Sequence, residues 1–110
     1  MVPQYYDLPS LTALTAFEAS ARHLSFEIAA SELGMTSGEI SRQIKAIEGD
    51  IGVPLFVRRG TELMLTSAGQ DIYSVLASSL AKASNVVRAI KRDRPRNVTV
   101  YPAMHLHRRD

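Results

Sequence analysis

The sequence predicts a mainly α fold, and three observations support this prediction. Apolar residues recur every three or four positions along several segments, which is the period of an amphipathic helix. Polar capping residues precede these segments and Gly or Pro follows them, which indicates where the helices begin and end. Residues 55–65 hold two short β-prone runs around a glycine turn, the pattern of a hairpin. We therefore expect a small helical domain that carries one hairpin.

The composition is that of a folded domain without disulfides. The chain has 110 residues, of which 45% are hydrophobic and 22% charged, enough for one domain and an appendage. The absence of cysteine excludes a disulfide framework, a thiolate metal site and a thiol nucleophile. No apolar run approaches the roughly 20 residues that span a bilayer, and the N-terminus lacks the plan of a signal peptide. We expect a cytoplasmic protein with no membrane partner.

The charge of the chain permits nucleic-acid binding without proving it. Thirteen Lys and Arg residues against eleven Asp and Glu residues give a net charge of +2, and the pI is about 9.2. Ten of the thirteen cations are arginines. An Arg-rich, mildly basic chain suits a polyanionic partner.

Two helices are predicted before residue 35. Ser10 caps the first, over about residues 11–23, and Ser25 caps the second, which Gly34 ends in a left-handed conformation. The apolar face of the first helix is expected at Leu11, Leu14, Phe17 and Ala21. That of the second is expected at Phe26, Ala29, Ala30 and Leu33.

A third helix is predicted from Thr36, which opens a capping box with Glu39, to the stop signals Gly52 and Pro54. Because successive residues are 100° apart, the helix has two distinct faces. The buried seam is expected at Ile40, Ile44, Ile47 and Ile51. The opposite face holds Gly38, Arg42, Lys45 and Gly49, with Ser41 on its flank.

The hairpin strands are expected at 55–58 and 62–65, around the turn Arg59-Gly60-Thr61. Thr66 then caps a long helix that runs to about Arg94, where Pro95 stops it. Such a helix would be about 42 Å long, more than a small domain needs to cover its core. A heptad seam therefore predicts dimerisation, although its first turns are expected to cover the chain's own core. The seam residues are Tyr73, Leu76, Leu80, Ala83, Val87 and Ile90.

The second and third helices, joined by Gly34-Met35-Thr36, fit a helix-turn-helix, and the hairpin makes it a winged variant. In such a domain the second helix of the pair enters the major groove, where exposed residues near its N-terminus read base edges. The candidate readers and phosphate ligands on that helix are Ser37, Gly38, Ser41, Arg42 and Lys45. Those on the wing are Arg58, Arg59 and Thr61.

Several runs of sequence resemble the LysR-type transcriptional regulators. The resemblance covers about residues 8–101 and is most specific from Ile40 to Gly69. The runs are Phe17-Glu18-Ala19, Leu24-Ser25-Phe26, Ala29-Ala30, Ile40-Ser41-Arg42-Gln43-Ile44-Lys45-Ala46-Ile47-Glu48, Gly52-Val53-Pro54-Leu55-Phe56, Arg58-Arg59-Gly60 and Leu65-Thr66-Ser67-Ala68-Gly69.

This resemblance implies a sequence-specific transcriptional regulator that binds inverted repeats in double-stranded promoter DNA. It implies a homodimer, a tetramer in a full-length form, and a small-molecule co-inducer only where an effector domain is present. It adds Ser25, Phe26 and Thr36 to the DNA-binding candidates. The expected organisation is a DNA-binding domain at 1–66, a dimerisation helix at 67–94, and the start of a missing effector domain or a truncated tail at 95–110.

The sequence departs from the family pattern at Ser37, Gly38 and Glu39, so the operator cannot be inferred from relatives. For Glu39 we favour the capping box over a contact to a cytosine amino group. For Gly38 two interpretations stay open: a tolerated surface defect, or a bare surface that lets the helix approach the groove.

Other signals are assigned no binding role. We interpret the basic end of the long helix, Arg88, Lys91, Arg92, Arg94 and Arg96, as solvated charge that suits the helix dipole. His105 and His107 supply too few ligands for a metal site. No catalytic constellation shares a face, so we expect no enzyme activity and no cofactor. The alternative function is a protein-interaction module, or dominant-negative partner, that acts through the long helix.

Overall fold

The computed structural model describes residues 6–94, 98 and 100–102. The mainly α fold with a hairpin is confirmed. Its elements are α1 (Leu11–His23), α2 (Phe26–Leu33), α3 (Ser37–Ile51), β1 (Phe56–Arg59), β2 (Glu62–Leu65) and α4 (Ser67–Asp93). Most of the tail, Arg96 and the two tail histidines lie outside the described residues.

The predicted helix caps are present. The Ser10 and Ser25 hydroxyls accept hydrogen bonds from the backbone three residues on, at 3.1 and 3.0 Å. Gly34 and Gly52 end α2 and α3 in the left-handed region, with φ of 66° and 88°. Leu24 ends α1 at φ 50°, a conformation that costs a non-glycine residue roughly 1–2 kcal/mol. The sharp turns place the three helices against one another.

The core lies between the three helices and the hairpin. Phe17, Ile40 and Leu55 are its largest fully buried apolar side chains. Leu11 and Ile51, predicted on the buried faces, are 69% and 44% exposed, so that prediction was wrong for both. They occupy the first and last turns of their helices, where the neighbouring segments cover the side chains only in part.

An ion cluster joins α1 to α2. The Arg22 guanidinium donates to Glu18 at 2.8 Å and to Oε1 of Glu32 at 3.1 Å. The His23 ring lies 2.7 Å from the same oxygen of Glu32. These contacts hold the first helix of the helix-turn-helix against the helix that precedes it.

The hairpin β1–β2, here called the wing, is antiparallel and pairs Phe56 with Leu65 and Arg59 with Glu62. Its first strand begins one residue later than predicted. Leu55 forms a bend just before the strand, and its carbonyl accepts from the backbone of Thr66 at 3.0 Å, in the register of the ladder. The Phe56 ring packs into the core, 5.5 Å from the ring of Phe17. This aromatic pair fixes the base of the wing.

Helix α4 begins against the segment that leads into the wing. The Thr66 hydroxyl donates to the carbonyl of Pro54 at 2.8 Å and accepts from the backbone of Gly69 at 3.0 Å. Gly69 is buried, and a Cβ there would overlap the carbonyl oxygen of Leu55. Only glycine allows this close approach.

The contacts divide the chain into two units, residues 1–80 and 81–110. In the first unit, Tyr73 and Leu76 are partly buried against the core, as expected for the first turns of the seam. Leu80 is 43% exposed there. In the second unit Val87 and Ile90 are 51% and 57% exposed. No helix within the described ranges is long and apolar enough to cross a membrane.

Candidate nucleic-acid interface

Helix α3 presents a polar, basic face to solvent. Ile40, Ile44 and Ile47 are buried on its inner side. The exposed residues of the opposite side are Ser37, Gly38, Arg42 and Lys45, with Ser41 partly exposed. A Cβ at Gly38 would meet only the Thr36 hydroxyl, at 3.9 Å, so the packing of the chain does not require glycine there. The face carries small side chains near the helix start and cationic side chains further along.

The capping box at the start of α3 engages both of its side chains. The Thr36 hydroxyl accepts from the backbone of Glu39 at 3.0 Å, and the Glu39 carboxylate accepts from the backbone of Thr36 at 2.7 Å. The backbone hydrogen bond holds the pKa of Glu39 below its usual range. Glu39 is therefore a cap, as favoured from the sequence.

A cavity of about 130 Å³ lies between α3, the start of α2 and the wing. Polar side chains from two elements meet at it: Ser41 and Lys45 from α3, and Arg58 from β1. The aromatic rings of Phe26 and Phe56 form part of its apolar wall. The structure thus brings one predicted α3 cation, Lys45, and one predicted wing cation, Arg58, to a single opening.

Arg58 is oriented by an aromatic ring. Its guanidinium carbon lies 5.7 Å from the centre of the Phe26 ring, within range of a cation–π interaction. That ring packs edge-on against Phe56 at a centroid distance of 5.4 Å. Phe26, predicted among the DNA-binding residues, therefore connects the start of α2 to the wing cation.

The charges at the cavity are available to an anion. Among the described residues, neither Lys45 nor Arg58 has a carboxylate within ion-pair distance. A phosphate could approach both without displacing an existing salt bridge. Such charge-assisted contacts are the stronger class of hydrogen bond.

The remaining candidates lie at different places. Arg59 is exposed at the tip of the wing, next to the turn. Thr61 lines a separate groove with Leu24 and Gln70, away from the cavity that holds Lys45 and Arg58. Ser25 acts as the cap of α2. The structure thus groups some of the predicted residues and leaves Thr61 apart.

Sequence reasoning missed Glu48. Its Oε2 accepts from the backbone of Leu55 at 2.7 Å and from that of Phe56 at 3.3 Å, and its side chain also lines the cavity. Its place on one helical face with Ser41 and Lys45 was visible as a spacing of four and three. Its backbone partners lie seven and eight residues away, and no side-chain pattern identifies them.

No group of three or more His, Asp or Glu residues that could hold a metal occurs within the described part of the chain. His105 and His107 fall outside it.

Comparison with protein families gives a match to the model for a bacterial regulatory helix-turn-helix protein of the lysR family, over residues 11–70. The glycine cleavage system transcriptional activator of Escherichia coli (strain K12) is 39% identical over 103 residues, 91% of this chain and 34% of that protein. The HTH-type transcriptional activator AmpR of Pseudomonas aeruginosa is 42% identical over 94 residues, 86% of this chain and 32% of that protein. The chain thus spans about a third of these relatives.

Solved structures show the same architecture. A regulator of the LysR family from Eggerthella lenta DSM 2243 is 34% identical with a TM-score of 0.59, over 62% of this chain and 97% of that one. A complex of BenM_DBD with catB site 1 DNA is 27% identical with a TM-score of 0.69, over 81% and 99% of the two chains. A CbnR_DBD–DNA complex is 27% identical with a TM-score of 0.62, over 78% and 99%.

Proposed function

This chain belongs to the LysR family of bacterial regulatory helix-turn-helix proteins, and on that premise we propose that it binds inverted repeats in promoter DNA as a homodimer. Helix α3 lies in the major groove and the wing lies on the neighbouring backbone. Bacterial promoters lie in the cytoplasm, so that is where we place the protein.

One observation carries the proposal: Lys45 and Arg58, from two different elements, open onto one cavity without a carboxylate partner among the described residues. Cations that converge in this way suit a phosphate group. The DNA in the complexes of the similar BenM_DBD and CbnR_DBD chains supports the same ligand class.

The residues of the interface take two roles. Ser41 and Arg42 read base edges, because they lie on the outer side of α3 in its N-terminal half. The short residues Ser37 and Gly38 let that end of the helix come close to the bases.

Phosphate contacts fix the orientation without reading sequence. Lys45, Arg58 and Arg59 supply cations, and the Thr36 hydroxyl keeps a proton to donate while it caps α3. Ser25 and Thr61 add polar contacts at the start of α2 and on the wing. Phe26 orients Arg58 through its ring.

Dimerisation is assigned to α4. Leu80, Val87 and Ile90 are each more than 40% exposed on one heptad seam, and large apolar side chains in such a row favour a second helix. The charges of α4 favour an antiparallel pair. Residues 67–81 carry only Asp71, whereas residues 82–93 carry Lys82, Arg88, Lys91 and Arg92 against Asp93. A parallel pair would place two strongly cationic ends together.

Selection of genomic DNA fragments bound by this chain tests the proposal. We expect enriched fragments to share an inverted repeat, and a duplex with that repeat to bind at least tenfold more tightly than a scrambled duplex, as specific binders do. Equal affinity for both duplexes would contradict sequence-specific regulation. Absence of any DNA binding, with dimers still present, would favour the alternative of an interaction module.

A further inference from the structure

Glu48 connects α3 to the base of the wing through hydrogen bonds to the backbone. Its Oε2 lies 2.7 Å from the backbone nitrogen of Leu55 and 3.3 Å from that of Phe56. Both donors belong to buried residues where the chain enters β1. The side chain of Glu48 is itself only partly exposed. One carboxylate oxygen thus takes two successive backbone donors.

These hydrogen bonds fix the spacing between α3 and the base of the wing. Bonds to an ionised carboxylate are shorter and stronger than neutral ones, and a partly buried setting strengthens them further. A two-stranded hairpin is only marginally stable by itself, so its position depends on what holds its base. Glu48 connects that base directly to α3.

The same carboxylate lines the cavity onto which the candidate phosphate-binding residues open. Ser41, Lys45 and Glu48 follow one another on one face of α3, and Arg58 faces them from β1. No ion pair joins Glu48 to either cation in the part of the chain that the structure describes. Its charge is directed to the backbone of the wing, which leaves Lys45 and Arg58 for an external anion.

A negative charge close to a DNA interface opposes binding, since it repels phosphate. Its presence there needs a compensating role. We propose that Glu48 is a positioning residue, which holds the wing at the spacing from α3 that lets Lys45 and Arg58 bind DNA phosphates together. This inference rests on the proposed function, because it assumes that DNA is the ligand.

Two variants separate position from charge. Glu48→Gln keeps the length and an acceptor oxygen but removes the charge, whereas Glu48→Asp keeps the charge but is one methylene shorter and loses reach. We expect the Gln variant to bind the selected duplex within about threefold of the parent, and the Asp variant to bind roughly tenfold more weakly, because its shorter side chain no longer reaches the backbone nitrogens of Leu55 and Phe56.

A double-mutant cycle then tests whether the lost affinity passes through the wing. Arg58→Ala should weaken DNA binding in the parent and in Glu48→Gln. It should change the affinity of Glu48→Asp only slightly. Arg42→Ala, on the outer face of α3, should weaken all three backgrounds by the same factor. A general loss of stability would not produce this selective coupling.

Circular dichroism and urea unfolding establish that each variant is folded. If Glu48→Asp does not fold, Glu48→Ala takes its place, because it removes both acceptor oxygens: an Arg58 effect as large in folded Glu48→Ala as in the parent would overturn a role in positioning. An undiminished Arg58 effect in folded Glu48→Asp would also overturn it. A parent chain that binds no DNA would overturn the proposed function and this inference together, whereas a parent that binds without coupling overturns the inference alone.

Discussion

Arg42 lies on the exposed side of α3, away from the buried isoleucines. Its effect on DNA recognition can therefore be measured separately from its effect on folding. We predict that Arg42→Ala changes the free energy of unfolding by no more than about 0.5 kcal/mol. If the guanidinium reads a guanine edge, affinity for the selected duplex should fall by about 1–3 kcal/mol, with relaxed preference at one base pair per half-site.

Affinities of the parent and Arg42→Ala for selected and random duplexes measure this effect. Arg88→Ala is a charge-matched control, since Arg88 donates to Asn85 and Ser84 of its own helix. Equal weakening for both duplexes would make Arg42 a phosphate ligand. Unchanged affinity for both would remove it from the interface.

Gly69 is the residue whose small size the fold most clearly requires. A Cβ there would overlap the Leu55 carbonyl oxygen and lie 2.9 Å from Cδ2 of Leu65. We predict that Gly69→Ala lowers the free energy of unfolding by about 1–3 kcal/mol, the usual effect of overpacking, despite its gain in helix propensity.

The matched control is Gly49→Ala on α3, where an added Cβ would meet nothing within 4 Å. This change should raise the free energy of unfolding by up to about 1 kcal/mol, because alanine is the better helix former. Urea unfolding of both variants measures the contrast. Stabilisation by Gly69→Ala would show that α4 does not pack as closely as described.

Such residues mark the limit of prediction from the sequence. Gly69 stands near a helix start where glycine has no local advantage, and only its approach to Leu55 explains it. In the sequence Glu48 is only a polar residue on a helix flank, because its backbone partners belong to a different segment. Both depend on contacts between elements, which hydrophobic period and capping rules do not encode.

At the scale of elements, local signals predicted well. The caps Ser10, Ser25 and Thr36 each act on the residue three positions away, so the bounds of α1, α2 and α3 could be predicted from the sequence. The buried faces were predicted less well at their ends. Leu11 and Ile51 continue the apolar period into the first turn of α1 and the last turn of α3, where the rest of the described structure covers them only in part.

The ion cluster between α1 and α2 predicts a pH dependence. Hydrogen bonds from Arg22, and then from His23, lower the pKa of Glu32 to about 2 from an ordinary value of 4.5. A carboxyl whose pKa is lower in the folded state stabilises it above the unfolded value, and that contribution is lost as the pH falls toward 2. The cluster should therefore weaken on acidification through this range.

We predict that Glu32→Gln lowers the urea midpoint at pH 6 and that most of its difference from the parent is lost near pH 2, where Glu32 is protonated in the unfolded state and about half protonated in the folded state. Glu27→Gln, on the same helix but in no ion pair with a described residue, should show no such trend. A Glu32 difference that persists at the lowest pH would contradict the cluster's electrostatic role.

Helix α4 is the element whose partner is proposed. Leu80 is 43% exposed on the seam, and Leu80→Asp would place a charge in an apolar interface. We predict a folded monomer with much weaker DNA affinity. Ser78→Asp adds the same charge two residues earlier, on the opposite side of the helix, and should remain dimeric. Light scattering at micromolar concentration measures the oligomeric state of both variants. A dimeric Leu80→Asp variant would place the interface elsewhere.

At the scale of the whole molecule, a small net charge of +2 hides an uneven distribution. Three acidic side chains, those of Glu39, Glu48 and Glu32, are engaged by the backbone or by neighbouring cations. Lys45 and Arg58 have no such partner among the described residues. The local arrangement of charge, more than its sum, makes the chain suited to DNA.

The salt dependence of affinity for the selected duplex tests this account most directly. If Lys45, Arg58 and Arg59 of two protomers each neutralise a phosphate, log affinity should fall with log salt at a slope of about 5. Lys45→Ala or Arg58→Ala should each reduce that slope by about 1.8, because a dimer loses two phosphate contacts. A flat dependence in the parent, or an unchanged slope in both variants, would contradict DNA binding through α3 and the wing.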